Sequence, residues 1–143
     1  MIRIRRSALV PKTPECMFDL VNGIEAYPRR FGWCAAASVL ERDGQSMVAR
    51  LDLRIAGFTQ SFTTRNALER PGRILMNLVD GPFRSLVGDW NFLALGENGC
   101  KIAFALDFEY SGRLTAPALR LGFQNLADRM VDDFVREAMK PND

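Results

Sequence analysis

The sequence predicts an α+β chain: a curved antiparallel sheet of about seven strands around one long C-terminal helix, with two short helices after the first strand. Three observations carry this. From residue 35 to residue 109 apolar residues recur with a period of two, and turn signals such as Asp43-Gly44, Pro71-Gly72, Asp80-Gly81-Pro82 and Asn98-Gly99 divide the pattern. From residue 113 to residue 139 the spacing changes to three and four. The 143 residues, 48% apolar and 25% charged, suit one domain over residues 1–143 with one core.

The elements follow in order. Residues 2–10 read as a strand, with Ile2, Ile4, Leu9 and Val10 set among Arg3, Arg5 and Arg6. Pro11 stops it. Thr13-Pro14-Glu15 opens a helix, with Thr13 as N-cap and Pro14 at the first helical position. Met17, Phe18, Leu20 and Val21 form its apolar side, and Asn22-Gly23 ends it. A second short helix over 24–30 carries Ile24 and Tyr27, with Pro28 disturbing its end. Six strands follow. They run over 37–41, 47–55, 58–65, 73–79, 86–92 and 100–109, joined as a meander. The tail repeats Leu119, Phe123, Leu126, Met130, Phe134 and Ala138 on one side, with acids and arginines opposite. As a helix over 113–139 it would span roughly 40 Å.

Composition excludes several function classes. There is no histidine, so histidine-based triads, His-ligated metal and a histidine proton switch are ruled out. The 19 Lys plus Arg against 17 Asp plus Glu give a charge of +2, which argues against sequence-specific DNA binding. Cys16, Cys34 and Cys100 are scattered, form no CxxC pair and read as small buried hydrophobes in a reducing compartment. No signal peptide or membrane-spanning run is visible. The expected location is cytoplasmic, with peripheral contact to the inner membrane.

A curved sheet cannot press flat along a straight helix, so a cavity is expected on the concave side. Its apolar character follows from the ten phenylalanines against two tyrosines and two tryptophans. Trp33, Phe62, Phe83, Trp90, Phe104, Phe123, Met130 and Phe134 are the expected lining residues. Arg65 and Asn66 either meet polar atoms of a ligand or merely end a strand. No acid–base pair stands out. Asp132-Asp133 reads as solvated, and Asp89, Asp107 and Glu109 alternate away from the aromatic face. No catalytic residue, metal ligand or required cofactor is assigned.

Four strings then occur in order: Tyr27-Pro28 with Trp33-Cys34; Ser61-Phe62-Thr63-Thr64-Arg65-Asn66; Asp80-Gly81-Pro82-Phe83; and Leu86, Gly88, Trp90 and Phe92. Together they resemble the coenzyme Q-binding START-like family, part of the polyketide cyclase/dehydrase and lipid transport superfamily. The resemblance runs from about residue 3 to residue 139. It implies a helix-grip (START/Bet v1-like) fold and a lipid-binding domain holding ubiquinone or a similar isoprenoid lipid, for its delivery or respiratory use. Burying one five-carbon isoprene unit would contribute roughly 3–4 kcal/mol. The family also contains RatA-like toxins that bind the large ribosomal subunit and block subunit association. That is the alternative, with Arg3, Arg5, Arg6, Arg29, Arg30 and Arg50 as candidate basic surface. A cyclase-type enzyme ranks third.

One segment departs from the family. Arg29-Arg30-Phe31-Gly32 stands where a Phe-Leu-Pro-like stretch usually precedes Trp-Cys. Arg29, Arg30 and Phe31 are therefore expected to contact a membrane or a partner. Each charge would contribute about 1 kcal/mol at an anionic lipid surface.

Overall fold

The computed structural model describes residues 1–141. Seven strands form one antiparallel sheet: β1 (Ile2–Val10), β2 (Cys34–Arg42), β3 (Ser46–Ile55), β4 (Phe58–Glu69), β5 (Arg73–Asp80), β6 (Phe83–Leu95) and β7 (Gly99–Tyr110). Their spatial order is β1-β7-β6-β5-β4-β3-β2. The chain thus meanders from β2 to β7 and closes back on β1, where Ile4 faces Leu106 and Val10 faces Cys100 in register. Three helices complete the fold: α1 (Pro14–Asn22), α2 (Tyr27–Arg30) and α3 (Pro117–Ala138). This is the helix-grip arrangement expected from the sequence.

Local chemistry sets the element ends. Thr13 caps α1 by accepting a hydrogen bond from the Cys16 amide at 3.2 Å. The expected second helix splits into a 3₁₀ turn (Ile24–Ala26) and the one-turn α2. Pro28 sits in the first turn of α2 rather than disturbing its end, because no amide there needs an acceptor. Helix α3 starts at Pro117, not at residue 113. Its 22 residues span about 33 Å rather than 40 Å. Leu114, expected inside the helix, instead tucks into the core ahead of it.

The strands are longer than expected, and one turn, between β6 and β7, uses a different residue. Strand β2 begins at Cys34 and bends through irregularities at Cys34/Ala36 and Val39/Glu41. The β3–β4 turn is Ala56-Gly57, with both residues at positive φ (52° and 82°), as a two-residue hairpin of the primed type requires. In the β6–β7 turn it is Gly96 that takes the left-handed conformation, while Gly99 already starts β7. The Asp43-Gly44 turn falls where expected, but it spans three residues, 43–45, and Gly44 does not take the positive φ of a two-residue primed turn. Asp43 accepts from the amides of Gln45 (2.7 Å) and Ser46 (2.8 Å).

The core lies between the concave face of the sheet and the helices. Leu86, Trp90 and Phe92 of β6, and Cys100, Ile102, Phe104, Leu106 and Phe108 of β7, point into it. From α3 come Phe123, Leu126, Ala127, Val131 and Phe134. Leu9 and Phe58, grouped with the apolar rows by alternation, lie outside instead, 72% and 63% exposed. Cys16 is also exposed, because Pro14, Met17, Phe18 and Val21 form the buried stripe of α1. Cys34 and Cys100 are buried, and that burial pushes both thiols up from their ordinary value.

Candidate functional site: an apolar cavity with one polar wall

A cavity runs between the sheet and α3, with an empty volume of about 760 Å³ including its mouth. The centre of a water molecule has about 60 Å³ of that space to move through. The cavity is therefore a slot, roomy enough for a few waters and too narrow for a ring with a chain unless side chains shift.

Each element contributes to the wall for a reason visible in its pattern. The period of two turns Leu51 and Leu53 of β3, Phe62 of β4, Ile74 and Met76 of β5, Leu86 and Trp90 of β6, and Phe104 and Leu106 of β7 to the same face. The helical period brings Phe123, Leu126, Ala127, Met130 and Phe134 of α3 over them. Gly88 sits between Leu86 and Trp90 on β6, where a Cβ would lie 3.3 Å from Met76 Sδ. The missing side chain lets Met76 pack across β6.

Seven of the eight expected lining residues lie on this wall: Trp33, Phe62, Trp90, Phe104, Phe123, Met130 and Phe134. Phe83 does not. It stands in the aromatic group that closes one end of the core, 4.7 Å from Phe123 and 6.0 Å from Phe108 between ring centres. The turn before it sets this position, because Gly81 at φ 156° lies so near Phe62 that a Cβ would sit 2.8 Å from the Phe62 Cβ.

A second aromatic group closes the other end. Phe31 stacks on Trp33 at 4.8 Å and touches Phe134 at 4.7 Å. Phe134 also meets Trp90 edge-on at 5.3 Å, and Trp90 stacks on Phe104 at 4.2 Å. Such pairs contribute about 0.5–1.5 kcal/mol each beyond burial. Phe31 is thus a core residue, 5% exposed, and not the surface contact the sequence suggested. Of its neighbours, Arg30 is held by Glu137 at 3.1 Å, whereas Arg29 is exposed. Glu137 also takes Lys140 at 2.9 Å. Burial pushes its carboxyl up, but the hydrogen bonds from Lys140 and Arg30 outweigh this and hold it below the usual value.

Asp133 also departs from its expected role. Its side chain is only 14% exposed. It accepts from Trp33 Nε1 at 3.1 Å and pairs with Arg136 at 3.0 Å, tying the Trp33 loop to α3. Asp89 and Asp107 do lie on the outer face, paired with Arg73 (2.9 Å) and Arg5 (2.8 Å).

The polar part of the wall is small. Thr64 and Asn66 of β4, both 4% exposed, share the inward row with Phe62. Thr64 Oγ1 donates to Asn66 Oδ1 at 2.8 Å. Asn22 at the end of α1 also lines the cavity, and its buried Oδ1 finds no hydrogen-bond partner among the described residues. The sequence singled out Asn66 but treated Asn22 only as a helix end, since Asn-Gly already accounts for a helix stop. Arg65 points outward, 3.7 Å from Glu41.

Among the described residues, Tyr27 is the one titratable side chain on the wall. Its hydroxyl donates to the Val21 carbonyl oxygen, and burial pushes its ionisation well above the usual phenol range. No three His, Cys, Asp or Glu side chains come together as metal ligands among the described residues. No described helix is long and apolar enough to cross a membrane.

Comparison with known proteins places this geometry. The ribosome association toxin RatA of Pseudomonas aeruginosa is 44% identical, covering 94% of this chain and 94% of its own length. That of Escherichia coli is 43% identical, covering 96% and 87%. A mitochondrial coenzyme Q-binding protein, coq10 of Schizosaccharomyces pombe, is 23% identical over 94% of this chain and 85% of its own. Among solved structures, the Zhui aromatase/cyclase from Streptomyces superposes with a TM-score of 0.81 at 16% identity, covering 96% of this chain and 93% of the other. A START superfamily protein from Mycobacterium smegmatis does so with a TM-score of 0.79 at 18% identity, covering 95% and 96%. These likenesses show the fold alone. Residues 10–135 match the description of one family throughout, and the chain therefore belongs to the polyketide cyclase / dehydrase and lipid transport family.

Proposed function

We propose that this protein associates with the ribosome, binding the large subunit and opposing subunit association. The observation that supports this reading is the similarity to proteins named ribosome association toxins, 43–44% identical over nearly the whole chain. The sequence read alone put lipid binding first and ribosome association second; that similarity supports the reverse order. The basic surface, however, is thinner than expected. Of the six arginines that could supply it, Arg5, Arg6, Arg30 and Arg50 are each in an ion pair with a carboxylate. Fewer displaced counterions imply a shallow dependence of ribosome binding on salt.

The test is sedimentation of purified ribosomes with added protein through sucrose gradients at two salt concentrations. The protein should travel with the large subunit, and the fraction of joined ribosomes should fall. A protein that stays at the top of the gradient at low salt, leaving joined ribosomes unchanged, refutes the reading.

The cavity favours a second, compatible reading: the interior, widened by shifts of its side chains, takes an uncharged isoprenoid lipid such as ubiquinone. Among the described residues, the hydroxyls of Tyr27 and Thr64 are the only acid, base or nucleophile groups on the wall, and both are engaged in hydrogen bonds, which supports binding over turnover. Delivery of the lipid and contact with the inner-membrane surface through Arg29 belong to this reading. Both tryptophans of the sequence, Trp33 and Trp90, line the cavity. A quinone entering it should quench their fluorescence saturably. Quenching no stronger than that of free tryptophan amide would eliminate the quinone.

A further inference from the structure

The polar wall is small, one-sided and chemically incomplete. Asn66 Oδ1 is already engaged by the Thr64 hydroxyl at 2.8 Å, which turns the Asn66 Nδ2 donor away from Thr64. Among the described residues that donor makes no side-chain hydrogen bond. Asn22 Oδ1 is the complementary case, a buried acceptor with no donor. Buried amide groups are usually paired, and one left unpaired is unfavourable. Here the two residues that carry this donor and this acceptor line the same cavity. Among the described residues, no charged side chain lines this cavity.

We propose that Asn22 and Asn66, with Thr64 holding Asn66 in position, recognise an uncharged ligand end that both donates and accepts a hydrogen bond, namely a hydroxyl. The ligand would give its proton to Asn22 Oδ1 and accept from Asn66 Nδ2. Its apolar remainder would lie along Leu86, Trp90, Phe104 and Met130. An ether or an ester carbonyl can only accept, so it leaves Asn22 unpaired. A carboxylate or an ammonium would be placed in an apolar slot without a counter-charge, which is worse still. The inference rests on the reading of the cavity as a lipid site and sharpens it: a prenyl alcohol or a quinol is preferred over the corresponding ether or quinone.

The test uses the full chain and three ligands of one chain length: farnesol, farnesyl methyl ether and farnesoic acid. Binding is followed by the fluorescence of Trp33 and Trp90. Farnesol should bind about tenfold more tightly than the ether, and the acid more weakly than either at neutral pH. Asn22→Leu should remove the preference for the alcohol while leaving or improving affinity for the ether. Asn66→Leu is the second variant, and the circular dichroism and urea midpoint of each show that it is folded. Equal affinity of wild type for alcohol and ether overturns the inference but leaves the cavity reading standing. So does an alcohol preference that survives in both folded variants. If none of the three ligands binds, the cavity reading itself fails and the inference falls with it.

Discussion

Replacing Gly122 by alanine tests how closely α3 is held against the β3–β4 corner. A Cβ at this position would lie 2.5 Å from Ile55 Cγ2 and 3.8 Å from the Ala56 amide nitrogen. Carbon atoms in contact prefer about 3.5–4.0 Å, so helix and strand would have to separate by roughly 1 Å. Two effects oppose one another. Alanine improves helix propensity by about 1 kcal/mol, whereas overpacking a tight site is unfavourable by about 1–3 kcal/mol. The overpacking term should win, because the clash is with a branched side chain that is itself buried, 4% exposed. Gly122→Ala should therefore lose up to about 2 kcal/mol of stability, read as a lower urea midpoint at unchanged slope. Ile55→Ala removes Cγ2 and alone should lose about 2–5 kcal/mol. In that background Gly122→Ala has room and should become stabilising by about 1 kcal/mol. The sign reversal is the decisive result. If Gly122→Ala raises the midpoint equally in both backgrounds, the helix does not approach the sheet here, and the end of the cavity beside Phe123 is wider than described.

Three other outcomes are expected. The Asp43 carboxylate accepts backbone hydrogen bonds from Gln45 and Ser46, which hold it below the usual carboxylate value of about 4. Its contribution to stability is present above that value and is lost as pH falls through the lower native-state one. Asp43→Asn should accordingly narrow the difference between urea midpoints at neutral and strongly acid pH; an unchanged difference would contradict the turn geometry. Cys16 is exposed while Cys34 and Cys100 are buried with raised thiol values, so brief iodoacetamide treatment of native protein should add one adduct by intact mass, located on Cys16. Three rapid adducts would mean that the core opens freely. Ala56 sits at φ 52°, a conformation that is unfavourable for a non-glycine residue by about 1–2 kcal/mol. Ala56→Gly should raise the melting temperature, and a fall would show that the turn is not of the primed type.

Most of the fold was legible because its two periodicities are clean. Leu86, Gly88, Trp90 and Phe92 could only be one face of a strand, and Phe123, Leu126, Met130 and Phe134 one face of a helix. The misreadings have local causes. Alternation cannot say where a strand ceases to be covered, so it puts Phe58 in the same row as Phe62 although Phe58 lies at the uncovered end of β4. Amphipathic spacing begins at residue 113, but a helix needs a start, and Pro117 supplies it four residues later. In Asn98-Gly99 the sequence offers a turn dipeptide, yet Gly96 takes the left-handed position two residues earlier. In Arg29-Arg30-Phe31, charge was read as a property of the whole segment. The structure separates it: Arg29 faces out, Arg30 joins Glu137, and Phe31 turns inward against Trp33 and Phe134.

The candidate site was legible in its apolar part and illegible in its polar part, for a physical reason. A hydrophobic wall is repeated along every strand and along α3, so errors at single positions, such as Phe83, leave the cavity in place. A polar contact depends on which two or three amides meet across the space, and that is fixed by tertiary packing alone. Asn22 belongs to α1 and Asn66 to the middle of the sheet, 44 residues apart in sequence. Each has an innocent local explanation, one as a helix stop and the other as a strand residue. What distinguishes them is that both residues line the same apolar space, Asn22 with an unpartnered Oδ1 and Asn66 with its Oδ1 engaged by Thr64. The exterior shows the converse. Its arginines suggested a broad basic surface, but carboxylates brought from distant elements, Asp107 to Arg5, Asp128 to Arg6 and Glu137 to Arg30, neutralise much of it. Association with the ribosome, if it acts through this exterior, must then rest on shape and on a few free cations such as Arg29 rather than on bulk charge. Reversal of Arg29 alone to glutamate should therefore weaken ribosome sedimentation severalfold, whereas reversal of Arg5 should change it little.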